Sequence, residues 1–321
     1  MALAVYNGHP YVAFGSDPET HQVAKGNVWF YNGSKWDTVA GFFTTGEAKA
    51  VSLAVDNLGK PYVAYCDVAN GNKVTVQTIN TDYYYPSWEV IGEIGISDVN
   101  YPCTAIAIDD ITGTVYVAYR DAYNSNKLTI KSYNGGGWLS YTGISNGEAK
   151  YISLAIDNSI PYVAYQDKGW DSSYKAMVNR FDGTYWRKVG SSYIDVSNTM
   201  ALDISLAVYN DTPYVAYRDA NSNSYVKKFN GSNWVTLGGD SFGSFSNNAI
   251  YLSLCVYNGI PYIAFRGNGA NVMKYDGSSW QAVGDSPISE GTVMHVFLDI
   301  DNGVPYATFR DSFSTVVKKF N

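Results

Sequence analysis

Arginine and aspartate recur side by side in this chain, at Arg120-Asp121, Arg218-Asp219 and Arg310-Asp311, each time after the same apolar phrase. The corresponding positions elsewhere read Cys66-Asp67, Gln166-Asp167 and Arg266-Gly267. A guanidinium grips a carboxylate or sulfate through paired N–H donors, so the set is a candidate for holding a polar ligand. The competing reading is structural: a residue that returns in most repeats serves the repeat, by pairing across elements and closing loops. Positions that break the repeat are sharper. Asp299 stands where Ala54, Ala155, Ala207 or Cys255 stand in related segments, Phe297 replaces the usual Ser, and His295 precedes both. A buried carboxylate must be paired or have its pKa raised, which makes Asp299 with His295 the acid–base candidate, against plain packing in an irregular last repeat. Trp170, Asp171 and Tyr174 share one long connection, Tyr123 lies in another, and Asp17, Glu19 and His21 lie in a third. An aromatic face beside Asp and Asn suits the apolar face and hydroxyls of a sugar ring.

Metal and nucleophile chemistry find less support. Asp219, Asn221 and Asn223 match the opening of a calcium loop, but the Gly and distal Glu are missing. Such Asn-rich runs make Asx turns. The three histidines are scattered, and no P-loop, dinucleotide fingerprint or Gly-x-Ser-x-Gly occurs. No cofactor is expected. Cys66, Cys103 and Cys255 form no Cys-x-x-Cys pair, and an odd count is no complete disulfide framework.

The residues that position these groups form a repeat. Marker tyrosines Tyr11, Tyr62, Tyr116, Tyr162, Tyr214, Tyr262 and Tyr306 are spaced by 51, 54, 46, 52, 48 and 44 residues. These periods match blade-sized repeats. Each copy resolves into four short strands. The first is Ser-Leu-Ala-Val, as at Ser52–Val55, and the second is Tyr-Val-Ala-Tyr, entered through proline in most copies. An Asn-Gly or Asp-Asn turn joins them. The third is typified by Val226–Phe229, and the fourth opens on Trp36, Trp88, Trp138, Trp186, Trp234 or Trp280. The first two strands are nearly continuous apolar runs, as expected of strands covered on both faces. No apolar period of 3.6 persists, so helices are not expected.

The fold class expected is all-β: a seven-bladed β-propeller of about 46-residue repeats in one domain, residues 1–321. The blades are approximately 1–50, 51–103, 104–150, 151–202, 203–250, 251–294 and 295–321. The last lacks a Trp-bearing fourth strand, so its third strand, Val316–Phe320, is expected to present a bare edge. A cut from a longer chain would account for this equally well.

Composition narrows the partners. In 321 residues the formal net charge is −7, only 16% of residues are charged, and 46% are hydrophobic. The balance argues against nucleic acid and anionic membrane surfaces as partners. No apolar run reaches the roughly 18 residues of a membrane helix. Met1–Tyr6 has no basic region of the kind that opens a signal peptide.

Segments such as Val272-Met-Lys-Tyr-Asp-Gly-Ser-Ser-Trp280 make the chain resemble kelch-type blades and the repetitive propellers of secreted bacterial surface proteins. It departs from kelch in having Tyr-Val-Ala-Tyr where kelch blades have a Gly-Gly pair. Together these features point to a non-enzymatic, extracellular or cell-surface recognition module, lectin-like or adhesive. It is expected to bind carbohydrate or another cell-surface polymer through Trp170, Tyr174, Tyr123 and the Arg/Asp set. The alternatives are a protein-interaction repeat domain of a larger surface protein, or a glycoside hydrolase or polysaccharide lyase. A hydrolase would pair Asp299 with Asp311 or Asp17.

Overall fold

The computed structural model describes residues 1–15, 25–81, 85–98, 104–169, 171–190, 200–239, 249–285, 287–289, 291–311 and 314–320. Asp17, Glu19, His21, Cys103 and Trp170 lie outside them. Every regular element described is a β-strand, apart from one 3-10 turn at Val68–Asn70. Strands adjacent in sequence pair antiparallel into six sheets: one of eight strands, four of four and one of three. The eight-stranded sheet holds two repeats because Trp36–Val55 is one continuous strand. Its stretch up to Glu47 pairs with Lys25–Tyr31, and its stretch from Ala48 pairs with Pro61–Asp67. The chain divides into two compact units, Met1–Ala149 and Lys150–Asn321.

The sheet formed by Ala201–Tyr209, Thr212–Asp219, Ser224–Phe229 and Trp234–Thr236 shows why the repeat folds this way. Asn210 and Asp211 take positive φ of 47° and 57°, the backbone of a tight two-residue hairpin. Asn258-Gly259 and Asn302-Gly303 repeat the device. In the second strand Val215, Ala216 and Tyr217 are wholly buried. Each fully buried Val or Leu side chain contributes about 1.5–3 kcal/mol, so covered faces stabilise the fold without disulfides.

Two residue types of the repeat act between sheets. Ser52 Oγ accepts from the backbone N–H of Ile106 at 3.1 Å, and Ser205 Oγ accepts from Leu254 at 3.0 Å. Ser153 and Ser253 do the same for Leu206 and Leu298. In these four cases a hydroxyl of one sheet satisfies an amide of its neighbour. The tryptophans form the second tie. Trp138 Nε1 donates to Ile91 O at 3.1 Å and Trp280 Nε1 to Leu237 O at 3.1 Å. The residue after each acceptor is glycine, and a Cβ on Gly238 would stand 2.5 Å from Trp280 Cδ1.

The last sheet has three strands, Met294–Asp301, Val304–Arg310 and Thr315–Lys319, without a fourth among the described residues. Phe320 packs on Gly284, in the way the tryptophans pack on their glycines, and only 9% of it is exposed.

Candidate functional site

The connections between second and third strands lie at the end of each sheet opposite the Asn-Gly hairpins, and the expected Arg/Asp pairs sit there. Their carboxylates are built into the loops. Asp219 Oδ1 accepts from the backbone N–H groups of Asn221 and Asn223 at 2.9 and 2.8 Å. Its Oδ2 accepts from Asn223 Nδ2 and the Tyr225 hydroxyl. Asp121 accepts from Tyr123 N, Ser97 Oγ and Thr129 Oγ1, and Asp311 Oδ1 accepts from Ser314 N. Asp67, Asp121, Asp167 and Asp219 are all buried. The lone pairs a calcium ion or a sugar would need on Asp219 are taken by N–H and O–H donors, so Asp219, Asn221 and Asn223 form an Asx-type loop. Among the described residues no cluster of three or more His, Cys, Asp or Glu could hold a metal.

The arginines behave differently, and what they meet was not foreseen. Two residues before the repeated Ser, the first strand carries a non-glycine residue at positive φ: Ala50, Tyr151, Asp203, Tyr251 and His295, at 47° to 55°. The ladder shifts register there, between Lys49 and Ser52, Leu202 and Ser205, Ile250 and Ser253, and Met294 and Phe297. These are β-bulges, which re-aim a side chain at a strand end. Leu202, Ile250 and Met294 pair with Arg218, Arg266 and Arg310, so Asp203, Tyr251 and His295 each stand beside an arginine.

The bulge positions share a backbone and differ in chemistry. Asp203 accepts from Arg218 Nε at 2.9 Å, a pair about one-fifth exposed on each side. Tyr251 lies under the Arg266 guanidinium, 5.5 Å from ring centroid to Cζ, and its ring stands 5.4 Å from that of His295 on the next sheet. Arg266 Nη1 also donates to Val293 O. His295 is exposed at its edge, yet desolvation, with the Arg310 charge beside it, lowers its pKa. In the other unit, Arg120 is buried against Glu148 at 2.5 Å.

Tyr174 sits at the same end, its ring flanked by Lys150 Nζ at 5.7 Å and Lys168 Nζ at 6.0 Å. Its carbonyl accepts from Ala201 N, which ties this loop to the next sheet. Tyr123 is 82% exposed. Asp171 is fully exposed, and hydrogen bonds from Ser173 lower its pKa.

Asp299 and His295 do not come together. Four residues of strand separate them, a rise of about 13 Å. Asp299 Oδ1 accepts from Ile300 N, and its charge, after burial, helps to raise the Cys255 pKa. Asp299 lies opposite Tyr306, and Asp311 follows five residues later, about 17 Å along the strand. Glycosidase carboxyl pairs stand about 5–9.5 Å apart, so these two do not form one.

No family model matches the sequence, and no curated protein matches it. Solved structures do share its fold. A polysaccharide lyase of the PL25 group, an ulvan lyase bound to -[GlcA(1-4)Rha3S]-, aligns over 99% of this chain and 90% of its own, with a TM-score of 0.65 and 12% identity. The β-propeller domain of the trilobed protease from Pyrococcus furiosus, described as having an open velcro topology, aligns over 100% and 94%, with a TM-score of 0.63 and 6% identity. The SapL1 lectin in complex with alpha methyl fucoside aligns over 84% and 92%, with a TM-score of 0.56 and 17% identity. At these identities the likeness is one of fold alone, and that fold is the β-propeller.

Proposed function

We propose that the chain is a seven-bladed propeller in one domain, acting as a non-enzymatic, extracellular recognition module for carbohydrate. Seven blades follow if each half of the eight-stranded sheet counts as one. The observation that carries the function is the row of aromatic rings and cations at the bulged strand ends: Tyr174 between two lysines, Arg218 with Asp203, and Tyr251 with Arg266 and His295. Such rings offer a flat apolar face, and the charged groups beside them offer directional hydrogen bonds, the combination that binds pyranose rings. A lectin and a carbohydrate-active enzyme among the proteins of similar fold accord with this reading. No helix among the described residues is long and apolar enough to cross a membrane.

A glycan array probed with the protein and with Tyr251→Ala tests the proposal. Binding to a defined glycan class that falls at least about tenfold in the variant is expected. Capture of a single protein partner with no glycan bound refutes it and favours the protein-interaction reading.

One observation favours a lyase instead. His295, its pKa lowered by desolvation and its ring in contact with Tyr251 near Arg266, has the makings of a proton-transfer group beside a cation that could neutralise a uronate carboxylate. Release of unsaturated sugars from a uronate polysaccharide, abolished by His295→Ala, would establish activity and displace the non-enzymatic reading.

A further inference from the structure

The second strands Thr114–Asp121, Ile160–Asp167, Thr212–Asp219 and Ile260–Gly267 carry Arg120, Gln166, Arg218 and Arg266 at one equivalent position, the last but one. Partners reach that position from the bulge residue of its own sheet and from the residues just before the bulge of the next. Gln166 Nε2 donates to Ala201 O at 2.6 Å, and Arg266 Nη1 donates to Val293 O at 3.3 Å. Ala201 and Val293 each stand two residues before a bulge residue, Asp203 and His295. Reaching across to that carbonyl is therefore a habit of the repeat.

Two of the arginines are given a carboxylate from these places. Arg218 is met from its own sheet by Asp203, and Arg120 from the next by Glu148. At Arg266 the corresponding residues are Tyr251 and Thr292. The backbones match: φ is 51° at Asp203 and 55° at Tyr251, and Leu202 and Ile250 pair with their arginines in the same register. Glu148 and Thr292 each stand three residues before a bulge residue, Tyr151 and His295. Among the described residues Arg266 thus meets Val293 O and the Tyr251 ring, and no carboxylate. A ring face attracts a cation without cancelling its charge, and a guanidinium has more N–H donors than one carbonyl takes up. Arg266 is half-buried, where a charge-assisted hydrogen bond is stronger than in bulk water.

We infer that the bulge residue sets the charge selectivity at each arginine, and that Tyr251 makes Arg266 the anchor for an acidic saccharide, whose carboxylate or sulfate it holds. The inference rests on the carbohydrate reading of the bulged strand ends and names the class of sugar taken there. Either acid group presents paired oxygens that match the guanidinium fork. Asp203 already supplies that match at Arg218, which suits the Arg218 position to an uncharged sugar. Around Arg266 the protein supplies an aromatic ring and a hydroxyl instead, so the counter-charge comes with the ligand. Exposed His295, its ring 5.4 Å from that of Tyr251, stands beside it as a hydrogen-bonding group for a sugar hydroxyl.

A glycan array with uronate, sulfated and uncharged forms of the same backbones tests this. Wild type is expected to favour at least one acidic form over its uncharged parent by about tenfold or more, a preference that shrinks as salt rises. Tyr251→Asp and Thr292→Glu each bring a carboxylate to Arg266, one from its own sheet and one from the next, as Asp203 and Glu148 do for their arginines. Each should remove the preference, and Thr292→Glu should do so with the binding of uncharged forms and the melting temperature unchanged. Asp203→Asn releases Arg218 and should add acidic-sugar binding that persists when combined with Thr292→Glu. The uronate and sulfated forms decide which acid group is taken. A preference that survives either neutralising variant in folded form, or no gain from Asp203→Asn, overturns the inference. So does a wild type that binds uncharged and acidic forms alike, which leaves the carbohydrate reading standing; binding to no glycan at all overturns both.

Discussion

The tryptophan tie between sheets gives a coupling that can be measured. Gly238 has φ of +78°, and a Cβ there would stand 2.5 Å from Trp280 Cδ1 and 2.7 Å from its Nε1. Gly238→Ala therefore carries two costs. The left-handed backbone costs roughly 1 kcal/mol for an L-residue, and forcing the indole aside costs about 2 kcal/mol more, as other overpacked cores show. Trp280→Ala alone should cost about 3–5 kcal/mol, since the side chain is 9% exposed and its N–H bond to Leu237 O is lost with it. In that background the steric cost of Gly238→Ala vanishes and only the backbone cost remains. The double variant should therefore be about 2 kcal/mol more stable than the sum of the single changes implies. Urea unfolding followed by far-ultraviolet circular dichroism, with slopes compared across the four proteins, supplies the cycle. Additivity to within about 0.5 kcal/mol would refute the tie, because it would mean that alanine at 238 and the indole at 280 never compete for space.

The other predictions concern titration and backbone strain. Burial pushes the Cys66 thiol up to about 11, and burial with the Asp299 charge raises Cys255 well above its ordinary value. Both should resist a disulfide reagent at pH 8 in the native protein and react once it is unfolded, as mass mapping will show; rapid native labelling of either contradicts this. The Asp182 carboxyl is held down to about 2 by backbone N–H groups of Tyr185 and Thr184 and by Arg187. That contribution exists above the unfolded carboxylate range and is lost as pH falls through the folded value. Asp182→Asn should accordingly melt lower than wild type at pH 6, with the gap closing between pH 4 and 2. The lowered His295 pKa means that the unfolded chain binds more protons near pH 6.5, so this residue makes stability rise with pH there. A proton-resonance titration, assigned with His295→Gln, should give a midpoint under 6.5. Ala50 pays for its φ of 47° with no side chain to show for it. Ala50→Gly should stabilise the protein by about 1 kcal/mol in thermal unfolding, and a loss of stability would show that the bulge is not strained.

Much of the fold is legible in the sequence because the repeat writes each strand several times over. The apolar second strands and the Asn-centred hairpins appear where the residues place them. The fused strand Trp36–Val55 does not, since the expected blade boundary between residues 50 and 51 falls inside it. The site was legible only in part. Type-by-type comparison singled out the Arg/Asp positions, and the aspartate hydrogen bonds close loops, as the competing reading had it. It joined Asp299 to His295 because they are close in sequence, whereas strand geometry sends them to different neighbours. The bulge residues escaped notice for a different reason: Ala50, Tyr151, Asp203, Tyr251 and His295 share a conformation and nothing else. Their fixed offset of two residues before the repeated Ser, or Phe297, is the one signal that could have found them.

That offset also explains how a repeat of this kind acquires a specific site. The backbone at each bulge is set by the ladder on both sides, so its cost is the same in every sheet, of order 1–2 kcal/mol for a non-glycine residue. Glycine would remove the cost, yet none of the five positions has it. In three of the five the side chain makes contacts that glycine could not: a carboxylate for Arg218, a ring beneath Arg266, and an imidazole against that ring. Strain kept at the cost of stability, at positions where the residue type varies, accords with the recognition role proposed above. At the bulges the repeat supplies geometry, and the departures from it supply chemistry.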